Sequence, residues 1–244
     1  MRIQFIYIII FTSLSALGQQ DLSTRILYKA EYIGIIENLS QSAEQKEIQQ
    51  LYKDNYPKIE MELIFNKNKS LFESIKSPSE NGNMYYELAH LKVSGNKTYY
   101  KDLVTNEDFF KVDFQGDTFL VKNSQEKYNW VITSESKTIG GFKCFKANGT
   151  KKIIANVFSP AKEMAIEAWF CPEIPKSLGP CGYDGLPGVI LSITSNNILI
   201  YASEIQPNQK LEIKKPEAKT YFENEAAFES MMVKKFTELR NSRG

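Results

Sequence analysis

The chain has 244 residues, of which 42% are hydrophobic and 24% charged, a mixture typical of a globular protein rather than a disordered one. Its 30 Lys and Arg against 29 Asp and Glu give a formal net charge of +1, which argues against nucleic-acid binding, since that depends on an excess of basic residues. The 13 Tyr and 15 Phe favour strands, because aromatic side chains pack well on a pleated surface.

The first 18 residues have the features of a secretory signal peptide. Arg2 supplies a positive charge, an apolar run extends from Ile3 to Phe11, and small residues follow as far as Gly18. The apolar run is too short to cross a bilayer of about 30 Å as a permanent helix. We therefore expect an exported protein without a permanent membrane span, whose mature chain, residues 19–244, is a single β-rich domain.

The first part of the mature chain predicts strands around one short helix. Residues 25–33 alternate as in a strand, and the polar stretch near 40–54 predicts a short, mostly solvated helix. Residues 58–75 predict a hairpin, because apolar and acidic side chains alternate at 59–65 before a turn. Residues 77–90, which are rich in Ser, Asn and Glu, predict an exposed loop.

From residue 97 onward, short apolar and aromatic runs recur between turn residues. They include separate predicted strands at 141–147 and 152–158 and a last one at 210–215. Strands without helices between them pair antiparallel, so the sequence predicts a mainly β fold. We expect a large curved antiparallel sheet, a half-barrel or a sandwich of about ten or more strands. Residues 222–240 predict an amphipathic C-terminal helix that packs on the sheet.

Three cysteines in an exported protein raise the question of a disulfide. Cys171 and Cys181 flank a proline-rich stretch, ten positions apart, and are the pair that we expect to be linked. Cys144 lies in a separate strand-like run. It would then be a small buried hydrophobic residue.

The stretch "GPCGYDGLPG", residues 179–188, has glycine at every third position. Collagen needs many more triplets, and a phosphate-binding loop would open a helix, whereas a strand-like run follows Gly188. Four of the nine prolines lie within residues 172–187. Because proline fixes φ and glycine permits positive φ, we expect a rigid, ordered connection between two strands, with a type II turn at 186–189.

Residues 168–191 resemble the signature of the GLPGLI family, which is found in exported proteins of Bacteroidetes. The name motif is matched by residues 185–190, with Val189 in place of the usual leucine. An aromatic pair, a Pro-Glu-Ile-Pro step and a Gly-Pro precede it, as in the family pattern. The resemblance implies no reaction, cofactor or partner. The candidate binding residues are those of the motif: Trp169, Phe170, Pro172, Glu173, Pro175, Gly179, Pro180, Tyr183, Gly185, Leu186, Pro187 and Gly188.

His90 is the only histidine, so the sequence predicts no zinc cluster. Any Ser-His-Asp catalytic triad would have to include His90. We expect a non-enzymatic protein of the cell envelope, periplasmic, secreted or associated with the outer membrane, that needs no cofactor or metal. It would act as a binding or accessory module, because a curved sheet can hold an apolar ligand or a partner strand.

Two alternatives remain open. The first is a carbohydrate-active hydrolase that uses Glu173 and Asp184 as paired carboxylates beside Trp169 and Tyr183. The second is an accessory partner of an outer-membrane transporter, which would pair with it through an exposed sheet edge.

Overall fold

A computed structural model of the chain describes most of the predicted mature protein. The predicted signal peptide, residues 1–18, lies outside the described part. The structure describes residues 22–34, 42–75, 77–93, 96–114, 116–123, 128–155 and 160–241. Its strands are β1 (Ser23–Tyr32), β2 (Glu60–Phe65), β3 (Lys69–Ile75), β4 (Lys97–Asp102), β5 (Glu107–Phe114), β6 (Asp117–Lys122), β7 (Val131–Ile139), β8 (Phe142–Ile153), β9 (Lys162–Cys171), β10 (Val189–Ser195), β11 (Ile198–Gln209) and β12 (Thr220–Phe222). Its helices are α1 (Ala43–Asn55), α2 (Met84–Val93) and α3 (Glu225–Asn241).

The described strands form one 12-stranded sheet in the order β12-β6-β5-β4-β3-β2-β1-β11-β10-β9-β8-β7. Two antiparallel meanders, β1 to β6 and β7 to β11, meet where β1 pairs with β11. Among the described strands, β12 alone runs parallel to its neighbour, β6. The prediction of a large, mainly antiparallel sheet with a C-terminal helix is confirmed. The described strands share one continuous sheet that is not closed into a barrel.

The main core lies on one face of this sheet, which we call the inner face. Alternate residues of β1, namely Ile26, Tyr28 and Ala30, are fully buried there. Tyr56 after α1 and Tyr86 of α2 pack against the same core. Helix α3 covers the β5–β6 end of the sheet, where its Phe228 meets aromatic side chains of both strands. The helices therefore lie over the apolar face that the strands' period of two creates.

The segment from residue 210 to 219 crosses the face of the sheet opposite the inner face and connects β11 to β12. Ile213 is buried there against Ile64, Tyr100 and Phe109. The strand predicted at 210–215 is therefore wrong. The alternation that suggested a strand arises because apolar side chains pack down onto the sheet while the backbone pairs with no strand of the described sheet.

Two other predictions need correction. Residues 77–90 are not a loop throughout, because α2 begins at Met84, and Asn83 Oδ1 accepts a hydrogen bond from the Tyr86 amide at its N-terminus. Only Tyr86 and Ala89 of this helix are buried, so no helical period was visible. The strands predicted at 141–147 and 152–158 are one strand as far as Ile153, and residues 156–158 lie outside the described residues.

The other two helices follow their predictions closely. Helix α1 begins at a capping box, in which Ser42 and Gln45 each bond the other's backbone amide. Helix α3 begins three residues later than expected, because residues 220–222 form β12. Within the described residues, the helices are all too short or too polar to cross a membrane.

Candidate functional site

The motif that the sequence singles out lies largely in the connection between β9 and β10, residues 172–188, which we call the Gly-Pro segment. β9 and β10 are neighbours in the sheet, yet the short 3-10 turn Pro180–Gly182 of this segment contacts β3 and β4. Three strands, β11, β1 and β2, lie between β10 and β3 in the sheet order. The Gly-Pro segment therefore crosses the inner face and covers the core.

Backbone hydrogen bonds fix the Gly-Pro segment to the strands at both of its ends. The Ile174 amide donates to the Cys171 carbonyl at 3.2 Å, and the Val189 amide donates to the Ile174 carbonyl at 3.0 Å. The Ile190 amide donates to the Leu178 carbonyl at 2.8 Å. Because polar backbone groups inside a protein need partners, these bonds allow the segment to lie in the core. The expected ordered connection is present.

Two glycines of the Gly-Pro segment allow it to lie very close to the backbone of β9 and to the Tyr99 ring. A Cβ atom on Gly188 would lie 2.1 Å from the Cys171 carbonyl oxygen. A Cβ on Gly182, whose φ is +76°, would lie 2.6 Å from the Tyr99 ring. The predicted type II turn is not formed, since Gly188 lacks the positive φ that it requires. Instead the Gly188 amide donates to the Leu186 carbonyl at 2.9 Å, which makes a γ-turn centred on Pro187.

A cluster of three charged side chains joins the Gly-Pro segment to the sheet. The Lys101 ammonium bonds Asp184 of the segment and lies 3.2 Å from Asp108 Oδ2. Burial raises the pKa of Asp108, although Lys101 offsets part of this effect. Burial alone would lower the pKa of Lys101, but Asp184 and Asp108 raise it overall. Lys101 thus neutralises two partly desolvated carboxylates, which is a structural use of charge.

The remaining polar groups near Asp184 are also occupied. Trp130 Nε1 donates to the Asp184 carbonyl at 2.8 Å, and the Gly185 amide donates to Ser177 Oγ at 2.7 Å. Tyr183 is buried against the Tyr128 ring at 5.2 Å between centroids. From the sequence alone, an acidic residue such as Asp184 in a buried turn indicates that a basic partner is needed. Nothing near Asp184 in the sequence identifies Lys101 as that partner.

The two carboxylates of the hydrolase hypothesis have different partners. Glu173 Oε1 accepts a hydrogen bond from the Lys143 amide of β8 at 3.0 Å, whereas Asp184 reaches Lys101 of β4. Trp169 is also engaged elsewhere, since its Nε1 donates to Glu167 at 3.1 Å. The predicted site residues therefore do not converge on one reaction centre. Six of the twelve candidate residues are instead part of the buried structure, namely Phe170, Gly179, Pro180, Tyr183, Leu186 and Gly188. Trp169 is partly buried, and the other five, Pro172, Glu173, Pro175, Gly185 and Pro187, are exposed.

Little space remains beneath the Gly-Pro segment. Two voids beside it, one next to Lys101 and one next to Cys181, have volumes of about 20 Å³ each. Such a volume holds roughly one water molecule. The sequence left open whether the sheet encloses an apolar cavity; on this part of the inner face, the core is filled by Leu178, Tyr183 and Leu186 of the Gly-Pro segment.

A larger cleft of about 440 Å³ lies where the sheet divides. Pairing between β3 and β4 ends at Phe72 and Tyr99, whereas β3 stays paired with β2 as far as Ile75 and β4 with β5 as far as Lys97. The two halves of the sheet therefore separate, and α2 closes one side of the gap. The cleft is lined by Glu73, Ser74, Ser77, Asn81, Tyr86, Glu87, His90, Asn96, Lys97, Thr98, Lys111 and Asp113.

The lining of this cleft, which we call the polar cleft, carries charges of both signs. Burial and the nearby Glu62 raise the pKa of Glu73, while Lys111 and a hydrogen bond from Thr98 lower it in part. The Tyr86 and His90 rings stack with centroids 6.0 Å apart. Desolvated carboxyl groups in clefts are typical of binding and catalytic sites. Sequence reasoning missed the polar cleft, because it depends on α2 and on where two strands part.

No metal centre is found among the described residues, and neither Cys144 nor Cys181 is an activated thiol. They contain no group of three His, Cys, Asp or Glu residues placed to hold a metal ion. All three cysteines are free thiols, so the expected Cys171–Cys181 disulfide is not formed in this structure. Burial raises the pKa of Cys144 to about 11 and that of Cys181 to about 12. Both are therefore protonated at neutral pH, and a protonated thiol is a poor nucleophile.

The motif region matches a known family model, and the fold resembles solved structures. The family is described as "Protein of unknown function (Porph_ging)" and matches residues 155–192, which include β9 and the Gly-Pro segment. The GLPGLI name suggested by the sequence thus stays a prediction. No curated protein matches the chain.

Two crystal structures of PNGF-II share the fold. The C2 crystal form is 18% identical with a TM-score of 0.50 and covers 88% of this chain. The P21 form is 15% identical with a TM-score of 0.51 and covers 86%. The chain spans only 33% of PNGF-II, about a third of its length. At this identity the likeness concerns the fold alone.

Proposed function

We propose that the protein is an exported, non-enzymatic binding module that holds a polar ligand in the polar cleft. The observation that carries the proposal is the cleft itself, about 440 Å³ in volume and open between β3, β4 and α2. That volume lies within the range of ligand-binding sites, about 300–1,000 Å³. The Gly-Pro segment then has a structural role, because it fills the inner face on which an apolar ligand would otherwise lie.

The lining of the polar cleft favours a ligand with many hydroxyl groups. Its carboxylates accept hydrogen bonds, its ammonium groups donate them, and its amide and hydroxyl side chains do both. Charges of both signs disfavour a ligand with a large net charge of its own. The stacked rings of Tyr86 and His90 add an apolar edge. A neutral saccharide combines hydroxyl groups with an apolar ring face, so we take short oligosaccharides as the ligand class.

Binding is favoured over catalysis because the predicted catalytic carboxylates are already in use. Glu173 holds a β8 amide and Asp184 is paired with Lys101. A hydrolase needs two carboxylates directed at one bond, one of them free to donate a proton. The hydrolase hypothesis therefore has no support in the placement of these two residues.

Strand pairing with a transporter is the weaker alternative. β7 is an edge strand of the described sheet, and Val131 and Ile132 on it are more than half exposed. However, Glu135 and Lys137 are charged, and the pairing with β8 breaks register between Ile132 and Ser136. Charges and bulges of this kind protect edges against further pairing.

The likeness to one third of PNGF-II supports a module, since the same fold occurs there within a longer chain.

The Glu73→Gln variant tests this function. We expect titration calorimetry with neutral di- to tetrasaccharides of glucose and N-acetylglucosamine to show saturable binding to the unaltered chain. Loss of one charged acceptor should weaken that binding by about 10-fold or more. The variant should be at least as stable as the unaltered chain, because the raised pKa of Glu73 means that folding disfavours its ionised form.

Glu212→Gln, which alters an exposed carboxylate that is not part of the cleft lining, is the matched control and should bind as the unaltered chain does. Absence of binding to every probe, or equal binding by the Glu73→Gln variant, would contradict the cleft as ligand site. Release of a shorter saccharide during the titration would contradict the non-enzymatic assignment.

A further inference from the structure

Two cysteines that are far apart in sequence lie opposite each other on adjacent strands. β8 and β9 pair in continuous register from Ile153–Lys162 to Phe145–Phe170. The next pair in this register is Cys144 and Cys171, and both side chains are completely buried. Burial raises the pKa of the Cys144 thiol, and the nearby Cys171 raises it further. The two thiols therefore share one buried site.

The third cysteine faces elsewhere. Cys181 belongs to the 3-10 turn of the Gly-Pro segment and has a φ of +54°, in the left-handed region. Its thiol donates to the Val93 carbonyl at the end of α2, at 3.4 Å. This direction takes the thiol toward α2, whereas Cys171 ends β9 opposite β8.

We propose that Cys144 and Cys171 form the disulfide of this protein, and that Cys181 stays a free, buried thiol. The inference rests on the proposed export, because disulfides persist in oxidising compartments. Directly opposite residues of antiparallel strands have Cβ atoms about 4.5–5.5 Å apart. Cystine requires about 3.5–4.5 Å, so a small approach of the two strands is sufficient.

Oxidation needs an acceptor of two electrons, for which a small disulfide such as oxidised glutathione is sufficient. One cysteine thiolate attacks the glutathione disulfide and releases one glutathione thiol. The other cysteine thiolate then attacks the mixed disulfide, closes the Cys144–Cys171 bond and releases the second glutathione thiol. Each cysteine loses its proton. Because both thiols are buried in the folded chain, the bond forms before folding is complete.

The bond would fix the start of the Gly-Pro segment, because Cys171 immediately precedes Pro172. It would close a loop of 27 positions between β8 and β9, counted from Cys144 to Cys171. We expect the oxidised protein to unfold at a temperature about 5–10 °C higher than the reduced protein.

Trypsin makes the test direct, because it places each cysteine in a separate peptide: residues 144–146, 163–176 and 177–210. The full chain is reduced, refolded in a mixture of reduced and oxidised glutathione, alkylated after denaturation, and digested without reduction. We expect peptide 144–146 linked to peptide 163–176, and peptide 177–210 alkylated. A link that includes peptide 177–210, or three alkylated peptides, would overturn the proposal.

Two variants complete the test. Cys181→Ala should keep the Cys144–Cys171 link, and Cys144→Ala should leave Cys171 and Cys181 unlinked. A Cys171–Cys181 link in the Cys144→Ala variant would show that the register does not control the choice of partner, which would contradict the proposal. The experiment uses no saccharide, so failure of ligand binding at the polar cleft leaves its result unchanged.

Discussion

Replacement of Gly188 by alanine is expected to lower the free energy of unfolding by about 3–4 kcal/mol. The added Cβ would lie 2.1 Å from the Cys171 carbonyl oxygen and 2.8 Å from the Pro172 nitrogen. Both atoms belong to the backbone, so no side-chain rotation can remove the overlap. The Gly-Pro segment would have to move away from β9, and the bond from the Val189 amide to the Ile174 carbonyl would be lost with it.

Urea denaturation of both chains measures this effect, and Gly116→Ala is the control. Gly116 has a φ of +83°, which alanine adopts only with strain, but no atom of the described residues lies within 4 Å of its added Cβ. The control should therefore lose only about 1–2 kcal/mol. Equal losses in the two variants would mean that the Gly-Pro segment is not packed against β9 as described.

Replacement of Lys101 by methionine is expected to lower the free energy of unfolding by about 2–3 kcal/mol at pH 7. Removal of one partner from a buried ion pair costs about 3–5 kcal/mol, and partial exposure of this cluster reduces the effect. Methionine keeps the length of the side chain but leaves Asp108 and Asp184 without their shared cation. The two carboxylates then repel each other in a partly desolvated site.

The loss in the Lys101→Met variant should depend on pH with a defined sign. The pKa of Asp108 is already raised, and Lys101 is a cause that lowers it. Without Lys101 it rises further, so the folded variant binds a proton more readily than the unfolded chain does. Its stability relative to the unaltered chain should therefore recover as the pH falls from 7 toward about 4.

Denaturation curves of the Lys101→Met variant at several pH values test this expectation. Lys235→Met serves as the control, because Lys235 pairs with Asp117 on the surface and such pairs contribute about 0–1 kcal/mol. A loss for Lys101→Met that is as small as that of the control, or one that is independent of pH, would contradict the structural role of the cluster.

Much of the fold could be predicted because the decisive signals are local. Alternation in residues 59–65 and the polar stretch near 40–54 each determine one element without help from distant residues. The prolines and glycines of residues 172–188 likewise predicted an ordered connection. The same local view failed for residues 210–215, since a segment that lies flat on a sheet alternates in the same way as a strand does.

The candidate sites could not be predicted, because they depend on long-range pairing. Lys101 and Asp184 are separated by 83 positions, and only the crossing of the Gly-Pro segment over three strands brings them together. The polar cleft exists because β3 and β4 separate beyond Phe72. The position at which two strands stop pairing cannot be recognised from the residue types along either strand. The same limit applies to Cys144, whose closeness to Cys171 follows from the β8–β9 register.

Hydrogen exchange of the folded protein tests the central claim most directly, namely that the Gly-Pro segment is a fixed cover of the core rather than a mobile binding loop. The informative amides are those of Ile174, Val189 and Ile190, which bond within the segment and its flanking strands. We predict that they exchange as slowly as the amides of the central strand β1, through global unfolding alone. Exchange as fast as that of exposed turn residues would contradict the account.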